Sequence, residues 1–141
     1  ESSMMVNDRM PEYCAERASK ILNRFKKSLN GSRILVMGVA YKQDVGDYRE
    51  SPALRVIEEI EKEGAEVVYF DSFVHEYSYK GEVRKSEIKL TAELIEGSDL
   101  VIITTAHTNV DYEFVWKHSK AIFDTKNAMK NIVLRENIEL L

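Results

Sequence analysis

Hydrophobic residues recur at helical spacing near the start of the chain. They lie three or four residues apart at Cys14, Ala18, Ile21, Leu22, Phe25 and Leu29. This period predicts an amphipathic helix. We expect the helix to begin at Pro11, a residue suited to a first turn, and to end at Asn30-Gly31, a pair that tolerates the left-handed conformation beyond a helix end.

Beyond Gly31, short β-branched runs alternate with helical stretches. We predict strands over residues 33–39, 66–71, 88–90, 100–104 and 121–124, and helices over residues 51–63, 92–96 and 112–117. Residues 73–86, with their tyrosines and a glycine, are expected to form a loop over the sheet edge. The alternation predicts an α/β fold, a three-layer Rossmann-like parallel sheet with helices on both faces, preceded by the amphipathic amino-terminal helix.

Composition limits the classes of partner. The chain has 141 residues, 44% hydrophobic and 31% charged, with a net charge of −4, which is ordinary for one globular domain. Without a clustered excess of Lys and Arg, a nucleic-acid partner is not expected. The longest apolar run, residues 100–103, is far shorter than the roughly 20 residues that cross a bilayer. We therefore expect no membrane segment and a cytoplasmic protein, in which the lone Cys14 makes no internal disulfide.

The candidate chemistry follows the first predicted strand. Ligands of open α/β sheets bind beyond the carboxyl ends of the strands, where the strand order reverses. The turn after this strand lacks the G-x-G-x-x-G spacing of a dinucleotide site, so the chain is not expected to form an NAD site by itself. A charged loop, residues 42–50, leads instead into Ser51-Pro52, which suits the cap and first position of a helix. The amino terminus of such a helix favours phosphate.

Two cations of this loop, Lys42 and Arg49, are the candidate phosphate ligands. The same loop contains Asp44, Asp47 and Glu50, which are close enough in sequence to pair with both cations and merely order the loop. Spacing alone favours these ion pairs but leaves both interpretations open.

A longer pattern covers the same region. The stretch GVAYKxDxxDxRESPAL, residues 38–54, resembles the signature that opens the carboxy-terminal domain of the UDP-glucose/GDP-mannose dehydrogenase family. Other segments that fall in the family's order are N-x-x-M-P-x-Y at residues 7–13, GAEV to Asp71 from residue 64, T-x-H at residues 105–107 and DTKN at residues 124–127. The forms Ala40-Tyr41-Lys42 and Asp111-Tyr112 are most similar to UDP-N-acetylglucosamine-type 6-dehydrogenases.

The resemblance implies a parent enzyme of three parts. An amino-terminal domain binds most of the NAD, a helical middle builds a homodimer or higher homo-oligomer, and the carboxy-terminal domain grips the UDP-sugar. Such enzymes oxidise the sugar C6 alcohol to a carboxylate with two NAD, through a thiohemiacetal and thioester on a cysteine. We expect residues 1–31 to be the end of an inter-domain linker with the amino-terminal helix, and residues 32–141 to be the UDP-sugar-binding domain.

The resemblance also implies roles for individual residues. Tyr41 and Lys42 would line the sugar side of the substrate cleft, and Lys42 would hydrogen-bond the sugar. Arg49 would face the cofactor pyrophosphate. Lys126 stands where many members have an arginine that recognises substrate, so a bidentate contact is weakened there.

Three further residues are weaker candidates. Cys14 lies on the apolar side of its helix and is expected to be a buried hydrophobe, so no catalytic residue is assigned. His107 follows a strand end, where ligand contact and a structural role are both open, and it has no companions at metal-ligand spacing. Asp71 ends a strand, as a ribose-binding acid would, but in the family this position precedes a structural turn.

Three functions are therefore open. The first is a non-catalytic UDP-sugar-binding fragment of a dehydrogenase. The others are a stand-alone nucleotide-binding or regulatory module and a structural assembly domain. Met4, Met5 and Met10 have no flanking element to cover them, which favours a segment cut from a longer protein. The sequence does not identify the sugar.

Overall fold

The computed structural model describes the backbone of residues 2–141 and the side chains of residues 10–141. Its first element is helix α1 (Ser2–Arg24), which contains Pro11. The prediction that this helix begins at Pro11 is therefore wrong. Met4 and Met5 lie outside the residues whose side chains are described, whereas Met10 is half-buried and packs against the core.

Helix α1 also ends earlier than predicted. The amide of Lys27 donates to the Leu22 carbonyl, the amide of Lys26 donates to Asn23, and Lys26 has a φ of +62°. This pattern closes a helix with one left-handed residue, a position that glycine usually takes. Because a lysine occupies it here, no glycine marks the end of α1 in the sequence, and the predicted end at Asn30-Gly31 lies six residues beyond Arg24.

The remaining elements follow in regular order. They are β1 (Arg33–Met37), α2 (Pro52–Lys62), β2 (Glu66–Phe70), β3 (Glu76–Tyr79), β4 (Glu82–Lys85), α3 (Ala92–Glu96), β5 (Leu100–Ile103), α4 (Tyr112–His118), β6 (Ile122–Asp124) and β7 (Ile138–Leu140). Five of the strands form a parallel sheet in the order β2-β1-β5-β6-β7. The next strand of the sheet, β2, pairs with one edge of β1, and β5 pairs with its other edge. The strand order therefore reverses between β1 and β5.

The two faces of the sheet carry two separate cores. Because strand side chains alternate, Ile34 and Val36 of β1 face a core shared with α1 and α2, while Leu35 and Met37 face a core shared with α3 and α4. Both faces of the central strands are covered, which explains their continuous apolar runs. The predicted fold class, a Rossmann-like parallel sheet between two helical layers with an amino-terminal helix, is confirmed.

The predictions fail at the two edges of the molecule. Residues 73–86 are not a plain loop, because β3 and β4 pair as an antiparallel hairpin around Lys80-Gly81, both of which have positive φ. Such a two-residue turn is typical of tight hairpins. The sequence did not indicate the hairpin, because Lys80 stands where Asn or Asp is usual. Residues 88–90 form no strand, and Ile88 is 94% exposed. Strand β7 was not predicted, since its three residues give too short a pattern.

Candidate functional site

The site begins where β1 ends. Gly38 has a φ of +85°, and its amide donates to the Phe70 carbonyl at 3.0 Å. A Cβ at Gly38 would lie 2.3 Å from the carbonyl oxygen of Thr105, so the chain passes against the end of β5 without room for a side chain. Val39 and Ala40 are also buried, and the chain reaches the surface at Tyr41.

The buried carboxylate of Asp71 stabilises this turn through hydrogen bonds to its backbone amides. The amides of Val39 and Ala40 donate to Oδ2 of Asp71 at 2.8 and 3.1 Å. The amides of Phe73 and Val74 donate to Oδ1 at 2.8 and 3.2 Å. Asp71 is only 2% exposed, so these bonds offset the cost of burying its charge. Its role is to fix backbone, and a ribose-binding role is not supported.

His107 continues the same network. It is 2% exposed, and its Nε2 donates to Oδ1 of Asp71 at 2.9 Å. Its Nδ1 accepts the amide of Asp44 at 2.7 Å, and its ring packs on Phe73 with 4.6 Å between centroids. These partners assign the neutral tautomer with the proton on Nε2. Both ring nitrogens are used, so neither is left for a ligand.

The loop after β1 folds back on itself above this network. The Tyr41 amide donates to the Asp47 carbonyl at 2.6 Å, and Asp44 at the tip has a φ of +62°. The Asp44 carboxylate accepts the amide and the hydroxyl of Thr108 at 2.9 and 2.7 Å. The hydrogen bond donated by the Thr108 backbone amide is the main reason that the pKa of Asp44 lies below its usual value. Short-range spacing gives no sign of this contact, because 64 residues separate its partners.

The two predicted sugar-side residues are exposed together at the start of this loop. Tyr41 is 49% exposed, and Lys42 is an exposed neighbour whose Nζ lies 5.9 Å from the centroid of the Tyr41 ring. Among the described residues, Lys42 makes no ion pair, and Asp44 turns to Thr108 instead. The expectation that acidic neighbours neutralise Lys42 is therefore wrong.

Arg49 behaves differently from Lys42. Its Nε lies 3.2 Å from Oδ1 of Asp47, and its side chain is 81% exposed. The hydrogen bond from Arg49 lowers the pKa of Asp47. The loop-ordering ion pair predicted from spacing is thus present at this residue, but exposed pairs of this kind are weak and exchange readily for another anion. Its assignment to a cofactor remains a prediction.

Lys126 lies on the turn that follows β6. The buried carboxylate of Asp124 accepts the amides of Lys126, Ala128 and Met129 at 3.1, 3.0 and 2.8 Å, which shapes this turn. The Lys126 side chain is exposed. Strands β1 and β6 both flank β5, so Lys42 and Lys126 follow strands that are two spacings, about 10 Å, apart at the same edge of the sheet.

The amino end of α2 is capped as predicted, but the residues at this end are buried. Ser51 Oγ accepts the amide of Ala53 at 3.2 Å and donates to the carbonyl of Ala40 at 3.3 Å. Ser51, Ala53 and Leu54 are 6%, 1% and 3% exposed. Because Ser51, Ala53 and Leu54 are buried and Pro52 has no amide hydrogen, this helix end is less suited to a phosphate than the sequence predicts.

Four surface cavities have volumes of about 390 to 530 Å³, and none of these four is lined by Tyr41, Lys42, Arg49 or Lys126. Within residues 10–141, no three His, Cys, Asp or Glu side chains converge to hold a metal. No helix in the described part of the chain is both long and apolar enough to span a membrane.

A doubly wound parallel sheet with exposed cations at its reversal point defines a nucleotide-binding class of α/β domain. The chain belongs to the UDP-glucose/GDP-mannose dehydrogenase family, and its residues 35–131 match the UDP binding domain of that family. This match confirms the family indicated by the pattern at residues 38–54.

Individual relatives agree with this assignment. The chain is 32% identical over 132 residues to UDP-N-acetyl-D-mannosamine dehydrogenase of Methanocaldococcus jannaschii, an alignment that covers 88% of this chain and 28% of the relative. It is 27% identical to UDP-glucose 6-dehydrogenase of Rickettsia bellii, with 92% of this chain and 31% of the relative covered. The structure of UDP-D-ManNAc dehydrogenase from Pyrococcus horikoshii matches with a TM-score of 0.78 and 28% identity, over 96% of this chain and 31% of that one. The chain spans less than a third of the length of these relatives.

Proposed function

We propose that this chain is the UDP-sugar-binding domain of a cytoplasmic NAD-dependent UDP-sugar 6-dehydrogenase, which oxidises the sugar C6 alcohol to a carboxylate. Residues 32–141 form the binding domain, and residues 1–31 carry the end of an inter-domain linker and the amino-terminal helix. The observation that supports this most directly is the exposed pair Tyr41 and Lys42 at the point of strand reversal, within the matched family domain.

The proposed roles follow from charge and position. A UDP-sugar carries an anionic diphosphate, and Lys42 and Lys126 add positive charge from two sides of β5. Tyr41 lines the sugar side of the cleft, and Lys42 also hydrogen-bonds the sugar. Lysine at position 126 contributes a point charge rather than the two-pronged contact of an arginine.

The sugar proposed is an N-acetylhexosamine. The relatives named above include enzymes for UDP-N-acetylmannosamine. The Ala40-Tyr41-Lys42 form resembles that of UDP-N-acetylglucosamine-type enzymes.

NAD would accept hydride in the parent enzyme, a homodimer or higher homo-oligomer. The space beside Gly38 is filled by Thr105, so the first turn has no room for a pyrophosphate. The residue of this chain proposed to contact NAD is Arg49. Its exposed guanidinium would give up its ion pair with Asp47 and bind a cofactor phosphate instead. The chain's share of the reaction is to bind and orient substrate. Turnover with UDP-sugar and NAD is not expected from the chain alone.

Calorimetric titration with UDP and with uridine tests this function. We expect UDP to bind more tightly than uridine, because the diphosphate contacts the lysines. Lys42→Ala is expected to weaken UDP binding about tenfold, the scale of one charged hydrogen bond. Lys85→Ala, an exposed lysine of the hairpin, is the control and should leave affinity unchanged. Absence of UDP binding to the wild-type chain would overturn the proposal and favour a structural assembly domain. Unchanged affinity in Lys42→Ala would remove Lys42 from the site.

A further inference from the structure

We propose that His107 is a positioning residue for the UDP-sugar site, because it fixes the tip of the loop that carries Tyr41 and Lys42. The inference rests on the proposed function, since it concerns how that site is held in shape. His107 does not touch substrate in this account. It acts through the backbone of Asp44.

The loop is attached to the rest of the molecule at very few points. Among the hydrogen bonds of the described residues, residues 42–46 are joined to other segments only at Asp44. One of these bonds, from the Asp44 amide to His107, is part-buried, and the other two run from exposed Thr108 to the Asp44 carboxylate. Releasing Asp44 would therefore free the whole tip.

One buried carboxylate sets both ends of this segment. Asp71 holds the root of the loop directly, through the amides of Val39 and Ala40. It holds the tip indirectly, since its Oδ1 binds His107 Nε2 and His107 Nδ1 binds the Asp44 amide. The imidazole is thus a rigid spacer of fixed length between Asp71 and the loop tip. Its ring also packs against Phe73, with 4.6 Å between the ring centroids.

The consequence for binding is entropic. Tyr41 and Lys42 lie between the fixed root and the fixed tip, so their backbone is ordered when the chain folds. Without the tip anchor, one or two loop residues would become ordered only on binding UDP, and affinity would fall by the free energy of that ordering. A loss of about tenfold corresponds to immobilising one or two residues.

Two amide substitutions separate the two bonds of the imidazole. In His107→Gln the amide nitrogen can take the place of Nε2 and keep the bond to Asp71, but no acceptor replaces Nδ1. In His107→Asn the amide oxygen can take the place of Nδ1 and keep the bond from Asp44, while the donor to Asp71 is lost. Losing that donor weakens a buried network, so His107→Asn should be the less stable variant.

The measurements are UDP affinity by calorimetry, stability by urea denaturation, and hydrogen exchange of the Asp44 amide by NMR without ligand. We expect His107→Gln to weaken UDP binding about tenfold and to lose Asp44 protection. His107→Asn should bind within about twofold of wild type and keep the protection, despite its lower stability. Asn109→Ala, which removes an exposed bond of the same segment to Ser72, should change neither quantity.

The outcomes distinguish the possibilities. Affinity that falls in step with stability in both His107 variants would show a merely structural histidine and overturn the inference. If His107→Gln does not fold, Thr108→Val removes an exposed contact to Asp44 and should weaken UDP binding about threefold. Unchanged binding in Thr108→Val, with a rapidly exchanging Asp44 amide in wild type, would equally overturn it. Failure of the wild-type chain to bind UDP would instead reject the proposed function.

Discussion

The carbonyl oxygen of Thr105 occupies the space beside Gly38 where a side chain would begin, 2.3 Å from the position of a Cβ. We expect Gly38→Ala to lower the free energy of unfolding by more than about 3 kcal/mol, because backbone must move and φ is +85°. Gly81→Ala is the matched control, since its φ is +84° but nothing lies within 4 Å. It should cost only about 1–2 kcal/mol of conformational strain. Equal losses in urea denaturation would mean that the contact with Thr105 is unimportant.

Lys126 should contribute charge to substrate binding from the turn after β6. Lys126→Ala is expected to weaken UDP affinity about fivefold, and Lys126→Arg to preserve or strengthen it, since a guanidinium adds a second donor for a phosphate oxygen. Lys130→Ala is the control, an exposed lysine a few residues along the chain. Calorimetry that gives the same affinity for Lys126→Ala and Lys130→Ala would remove Lys126 from the site.

Cys14 should be inert. Burial raises the pKa of its thiol to about 11, so only about 0.1% is ionised at pH 8. We expect a thiol-specific chromogenic reagent to label the folded chain at least a hundredfold more slowly than the chain in denaturant. UDP binding by Cys14→Ala should equal that of wild type. Rapid labelling of the folded chain would contradict the burial of this residue.

Glu139 of β7 should stabilise the fold in a pH-dependent way. Hydrogen bonds from Arg24 and then Arg17 of α1 hold its pKa below the usual value. A lowered folded-state pKa contributes stability above the unfolded-state pKa and loses it as pH falls through the folded-state value. Glu139→Gln should therefore be less stable than wild type at pH 7, and the difference should shrink as the pH falls below 4.5, the ordinary pKa of a glutamate. Glu136→Gln, exposed on the same segment, is the control for urea denaturation at each pH. A difference that does not shrink as the pH falls would contradict the ion pairs.

The sequence predicted those parts of the fold whose signals are local. Central strands β1 and β5 are buried on both faces and give long apolar runs, and Ser51-Pro52 marks the start of α2. The hairpin and the end of α1 were missed because Lys80 and Lys26 adopt positive φ where glycine or asparagine is expected.

Within the candidate site, the sequence indicated the exposed residues but not their support. The resemblance of residues 38–54 to the family indicated Tyr41 and Lys42 as substrate-binding residues. The contacts of Asp44 with His107 and Thr108 join residues more than 60 positions apart, and no short-range spacing encodes them. From sequence spacing alone, Asp44 was expected to pair with the neighbouring cations Lys42 and Arg49. In the fold its carboxylate binds Thr108 instead, a residue too distant in sequence for spacing to indicate.

The central claim is that UDP binds at the carboxyl edge of the sheet, where β1, β5 and β6 end. Titration of the isotopically labelled chain with UDP, followed by amide chemical shifts, tests it most directly. We expect the largest changes at residues 38–50, 104–108 and 124–127, and smaller changes in Lys42→Ala at the same UDP concentration. Changes concentrated in the groove between α1 and α2, or along the β3–β4 hairpin, would contradict the account.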